Sequence, residues 1–139
     1  MSKQIFLNLP VKNLTASTAF YEALGFTKNP QFSNDVASAM VWSENIFIML
    51  LKHEFYSKFT NKTIPDLTQT SSALISLTMD SKEAVENFAK TAKANGGDYY
   101  IAEPNKDLDF MVCYEVTDLD GHTLEPTFMD LSKFPSEND

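Results

Sequence analysis

Ser72-Ala73-Leu74-Ile75-Ser76-Leu77-Thr78-Met79, running directly into Asp80-Ser81-Lys82-Glu83, decides the fold, because it repeats a pattern the chain has already used once. Ala73, Ile75, Leu77 and Met79 fall on one side of an extended segment, and Ser72, Leu74, Ser76 and Thr78 on the other. That period of two is what a strand with one face in a core requires. Asp80-Ser81-Lys82-Glu83 resembles a capping box, with Asp80 as the expected acceptor at the helix start and Glu83 three residues on. Ala84, Val85, Phe88, Ala89 and Ala92 recur at helical spacing, and Gly96-Gly97 ends the helix. Strands near 98–103, 109–117 and 122–129 complete a βαβββ unit.

The earlier half has the same order. Ile5, Leu7, Leu9 and Val11 share one face of a first strand, with Phe6, Asn8 and Pro10 on the other. Pro10 cannot donate to a ladder, so it suits a strand end or an edge. Behind an Asn13 cap, Ala16, Ala19, Phe20, Ala23 and Leu24 mark a helix that Gly25 stops. Strands follow at about 27–32, 36–43 and 45–52, with Ser33-Asn34-Asp35 and Ser43-Glu44-Asn45 as turns. The sequence therefore predicts one domain over 1–130, built from βαβββ modules at about 4–52 and 71–129. A 53–70 linker and flap carries Phe55, Tyr56 and Phe59, and a loose tail follows over 131–139.

A chain of 139 residues with 43% hydrophobic and 22% charged residues has the composition of an ordinary folded domain. The net charge of −8 and the scattered basic residues exclude a phosphate-binding stripe, so neither nucleic acid nor an anionic membrane surface is an expected partner. Cys113 stands alone, which rules out an intrachain disulfide and the spacings of structural zinc sites. Met1-Ser2-Lys3-Gln4 leads into a strand with no long apolar stretch, and cytoplasmic residence is the expectation.

Two motifs carry a family resemblance. The first is Leu9-Pro10-Val11-Lys12-Asn13-Leu14 followed by Ser17, Phe20-Tyr21 and Leu24-Gly25-Phe26. The second is Thr117-Asp118-Leu119-Asp120-Gly121-His122 followed by Glu125. In this order and on this repeat, the chain resembles the vicinal oxygen chelate superfamily, which includes glyoxalase I, extradiol dioxygenases, and bleomycin- and fosfomycin-resistance proteins. The resemblance implies an α+β fold in which two βαβββ modules form a cup-shaped, curled mixed sheet with the helices outside. It also implies a homodimer.

In metal-dependent members, inward His, Glu or Gln residues on the first and last strands of each half hold a divalent ion. The matching positions here are Phe6, Met49, Leu74 and Glu125. Phe6 and Leu74 have no donor, and Met49 offers a soft thioether. No metal or other cofactor is therefore expected at that position. By alternation, Phe6, Asn8, Phe47, Met49, Leu51, Ser72, Leu74, Ser76, Glu125 and Thr127 line the hollow, either as a pocket for a small, partly apolar molecule or packed together to close it. Glu125 is the candidate catalytic residue. As a carboxylate among apolar neighbours it would be desolvated unless a cation or a donor such as Asn8 compensates, and it would serve as general acid or base, or as an anchor for an amine. The alternatives are a metal ligand, or an acid satisfied by nearby hydroxyls.

Other residues divide between structure and site. The Asp and Gly residues before His122 suit a tight turn in which Asp118 and Asp120 accept local N–H groups, which makes His122 a turn residue rather than a base. His53 is placed to reach the mouth of the hollow or the surface. Trp42 and Tyr114 are core or stacking residues, and Cys113 lacks an activating partner.

Overall fold

The opening alternation becomes β1 (Ile5–Val11), and Asn13 then starts α1 (Leu14–Ala23) by accepting from the Ala16 amide at 3.0 Å. In this computed structural model, which describes residues 2–133, two compact units emerge. One consists of the residues up to Thr70 together with Leu119–His122. The other consists of Ser71–Asp118 and the chain from Thr123 onward.

In the first unit, β2 (Thr27–Asn29), β3 (Ala37–Ser43) and β4 (Ile46–Lys52) join β1 in the order β1-β4-β3-β2. β1 runs parallel to β4 and the remaining pairs are antiparallel. Register places Leu7 and Leu9 beside Ile48 and Leu50, with Met40 next to Ile48, on the face that α1 covers with Phe20 and Tyr21. Ile48, Leu50 and Met40 have no exposed surface, and each side chain of this size contributes about 1.5–3 kcal/mol by leaving water. Pro10 pairs with Leu51 on β1, an edge strand, where its missing donor costs least. The strand expected over 27–32 stops at Asn29. There the Asn29 side chain accepts from the Gln31 amide, and Pro30 opens a 3-10 turn instead. α2 (His53–Tyr56) and a 3-10 turn at Ser57–Phe59 begin the flap.

The second unit holds β5 (Leu74–Thr78), α3 (Lys82–Ala94), β6 (Asp98–Tyr100), β7 (Met111–Cys113), β8 (Glu115–Thr117) and β9 (Thr123–Met129). Its sheet has the order β5-β9-β8-β6, with β7 also paired to β9, and β5 is parallel to β9. Val85, Phe88, Ala89 and Ala92 of α3 are buried, as the helical spacing predicts. The cap is Ser81 and not Asp80: Ser81 has extended dihedrals, and its hydroxyl accepts from the Ala84 amide at 3.0 Å, whereas Asp80 lies one residue too early.

Two strands are shorter than the pattern suggests. The 98–103 segment leaves the sheet after Tyr100 and forms a 3-10 turn at Glu103–Asn105 with Pro104 near its start. The 109–117 segment divides at Tyr114 without losing register, because the facing residue is Pro126. The Tyr114 amide donates to the Pro126 carbonyl at 3.3 Å, and proline has no N–H to return. Beyond β9, Leu131–Lys133 forms a 3-10 turn tied to Asp130, not loose chain, and the rest of the expected tail lies outside the described residues. Among the described residues no helix is long and apolar enough to cross a membrane.

Candidate functional site

Strand parity in the first unit collects five of the expected lining residues. Phe6 pairs with Phe47 and Asn8 with Met49, and Leu51 follows two positions on, so all five share the sheet face opposite α1. The Phe6 and Phe47 rings stack at 4.5 Å with 8° between their planes, yet Phe6 is 51% exposed. The stacked pair therefore presents exposed aromatic surface on this face.

The flap adds a wall to this face. Asn8, Leu51, Tyr56, Phe59 and Thr60 enclose a cavity of about 310 Å³. Phe55 meets Phe59 edge-on at 5.1 Å and braces the turn. His53, half-buried, starts α2 and borders a crevice of only about 20 Å³ with Pro10, Lys12, Asp66 and His122, space for roughly one water. A wider depression of about 650 Å³ lies over α1 and β3, but it is open, and the buried Thr18 and Ser38 hydroxyls in its wall already bond each other at 2.7 Å.

The Asp118–His122 motif is structural in a way that local spacing does not reveal. Asp120 accepts from the Lys12 amide at 2.9 Å and the Ser17 hydroxyl at 3.3 Å, two bonds that reach far beyond its own turn. His122 bonds the Pro10 carbonyl at 2.8 Å and is buried. Gly121 has φ +92°, and a Cβ there would lie 2.6 Å from the Leu67 carbonyl oxygen, so only glycine fits.

In the second unit, Leu74, Ser76, Glu125 and Thr127 share one face, whereas Ser72 precedes β5 and is exposed. The Ser76 hydroxyl donates to Glu125 at 2.5 Å. Leu74 is 59% exposed. Glu125 is half-buried, and the acid held away from water is Glu115, which the sequence reading missed. Glu115 is 4% exposed, and its carboxyl is pushed up to about 7 by burial and by the adjoining Glu125 carboxyl. Donor atoms of Cys113, Glu115 and Glu125 lie within 4.8 Å of one another. Burial raises the Cys113 thiol, and the Thr127 hydroxyl donates to its sulfur at 3.3 Å. One sequence signal could have found Glu115: around the 118–122 turn, the in-phase positions of an antiparallel pair set residue 115 opposite 125 and 113 opposite 127.

Tyr114 stacks on Tyr99 at 5.6 Å, and Trp42 packs against Phe26 at 4.9 Å. The four positions of the resemblance's metal set do not fit a divalent ion. Of Phe6, Met49, Leu74 and Glu125, only Glu125 brings an oxygen, and Phe6 is engaged with Phe47.

No family model and no curated protein matches the chain. Solved structures do. A hypothetical protein from S. aureus is 23% identical, with a TM-score of 0.74 over 92% of this chain and 95% of that one. A glyoxalase/bleomycin resistance protein/dioxygenase family enzyme from Burkholderia phytofirmans is 17% identical, with a TM-score of 0.73 over 92% of this chain and 99% of that one. This is the glyoxalase/bleomycin-resistance fold. The genomically encoded fosfomycin resistance protein FosX from Listeria monocytogenes has it too, at 17% identity and a TM-score of 0.65 over 99% of this chain and 97% of that one. The α+β class and paired βαβββ modules expected from the motifs are thus those of the glyoxalase fold, in which function resides in the particular side chains of each sheet face.

Proposed function

We propose that this glyoxalase-fold protein binds a small, partly apolar molecule on the β1/β4 face beneath the flap. The cavity of about 310 Å³ between Asn8 and Leu51 on one side and Tyr56, Phe59 and Thr60 on the other carries this reading. Its size lies near the lower end of the roughly 300–1,000 Å³ common for ligand sites. Its wall is mostly apolar, with the Asn8 amide and the Tyr56 and Thr60 hydroxyls as orienting groups. The stacked Phe6 and Phe47 rings on the same face supply a surface for a planar group. A thermal-shift screen of metabolites and antibiotics tests it, since a compound that binds the folded state alone raises the melting temperature. A hit whose shift persists undiminished in a Tyr56→Ala, Phe59→Ala double variant would place binding elsewhere.

One observation favours a second reading, an enzyme in which Glu125 acts as general acid or base or as a metal ligand. Glu125 is oriented by the Ser76 hydroxyl and adjoins the buried Glu115 carboxyl, and acids so paired recur where protons or cations are handled. Glu125→Gln, measured for ligand affinity and for any turnover found, decides whether the side chain participates.

A further inference from the structure

We propose that Cys113, Glu115 and Glu125 form a site for one divalent ion of zinc or cobalt(II) type, built entirely within the second unit. The inference rests on the second reading of Glu125 and deepens it by naming the partners. It shares only Glu125 with the metal positions of the resemblance and owes nothing to Phe6, Met49 or Leu74.

Geometry supplies the donors. β7, β8 and β9 bring Cys113, Glu115 and Glu125 to one sheet face, with a donor atom of each inside 4.8 Å of the others. Glu115 supplies the independent sign that something belongs there. It is 4% exposed, and among the described residues its Oε2 is a buried oxygen without a hydrogen-bond partner. Leaving such an atom unsatisfied opposes folding. Below neutral pH a proton shared between the Glu115 and Glu125 carboxyls is the remedy within the cluster; once that proton is lost both carboxylates only accept, and the thiol donates weakly. A cation answers all three groups at once.

Donor chemistry narrows the ion. Two oxygens and one sulfur do not suit magnesium or calcium, which take oxygen shells, but they suit a borderline ion that accepts thiolate and carboxylate together. On binding, the Cys113 thiol and, where it is still protonated, the Glu115 carboxyl give up their protons to solvent, and the sulfur and carboxylate oxygen take metal bonds in their place. The Ser76 hydroxyl orients Glu125, and the Thr127 hydroxyl donates to the Cys113 sulfur, as hydrogen-bonding groups behind metal ligands do. Three protein donors leave a position open to water or a substrate oxygen.

The full chain, stripped with a chelator, is titrated with zinc and with cobalt(II) by calorimetry and absorption. The expected result is one ion per chain and a near-ultraviolet sulfur-to-cobalt band, lost in Cys113→Ser, with affinity at least roughly tenfold lower in Glu115→Gln. Circular dichroism checks that each variant is folded, and if Glu115→Gln is not, the cobalt band of wild type against Cys113→Ser decides. Binding no tighter than in a Glu115→Gln, Glu125→Gln double variant, or cobalt binding without the sulfur band, overturns the site. If wild type binds no ion while Glu125→Gln still changes ligand affinity or turnover, the metal site fails and the second reading stands. If neither responds, both fail.

Discussion

The imidazole of His122 bonds the carbonyl of Pro10 at 2.8 Å, joining residues 112 positions apart. Both residues are buried, so His122→Ala leaves the Pro10 carbonyl short of a partner and is expected to destabilise by about 1–3 kcal/mol. Gly121→Ala should cost at least about 2 kcal/mol, since it adds a Cβ against the Leu67 carbonyl at a left-handed φ. Urea unfolding midpoints measure both. A His122→Ala protein as stable as wild type would remove the structural role assigned to that ring.

The paired acids make stability depend on pH in an unusual direction. Glu115, at about 7 in the fold against 4.5 unperturbed, holds its proton more tightly folded than unfolded, so the native state binds the extra proton between those values. Stability of the metal-free protein therefore falls as pH rises from about 4.5 through about 7. Cys113 and Glu125 are the titratable groups facing it, and the expected loss is of order 1–2 kcal/mol, seen as a lower melting temperature at pH 8 than at pH 5.5. Glu115→Gln should flatten that part of the profile. An unchanged slope would mean another group is responsible.

Phe59 separates binding from folding. It is 70% exposed, so Phe59→Ala should change stability by no more than about 0.5 kcal/mol. It also walls the flap cavity, and the same substitution should weaken any ligand found there by roughly tenfold, about 1.4 kcal/mol. Calorimetric titration of the variant with the best thermal-shift hit reads the effect. Unchanged affinity would remove the flap from the site.

Cys113 should behave as a hidden thiol. It is 6% exposed, and burial raises its pKa, so thiolate is scarce and access poor. Iodoacetamide at neutral pH is expected to modify the folded protein at least about a hundredfold more slowly than the urea-unfolded chain, because reaction must await an opening fluctuation. Mass spectrometry over time follows the modification, and fast labelling of the native protein would contradict the burial seen here.

Alternation was enough to place Phe6, Asn8, Phe47, Met49 and Leu51 on one face, because strand parity is a local property. Asn13 was legible for the same reason: a cap depends on the few residues beside it. Ser81 was missed by one position, since Asp80 and Ser81 are both good acceptors and only the backbone angle distinguishes them. The break at Tyr114 depends on Pro126, twelve residues away in sequence and opposite in the sheet. Glu115 escaped notice because its partner emerges only once the register around the 118–122 turn is known. Asp120 reads locally as a turn acceptor, and nothing around it in sequence announces the bonds it accepts from Lys12 and Ser17, more than 100 residues back. Contacts of that span leave no trace in neighbouring residues.

Leu119–His122 belong to the first unit although they lie deep in the second repeat of the chain. During synthesis, then, the strands and helix of the first repeat emerge early but wait for those four residues. Until His122 has left the ribosome, the Lys12 amide, the Ser17 hydroxyl and the Pro10 carbonyl lack the partners they hold in the finished fold. The half made first is among the last to be finished.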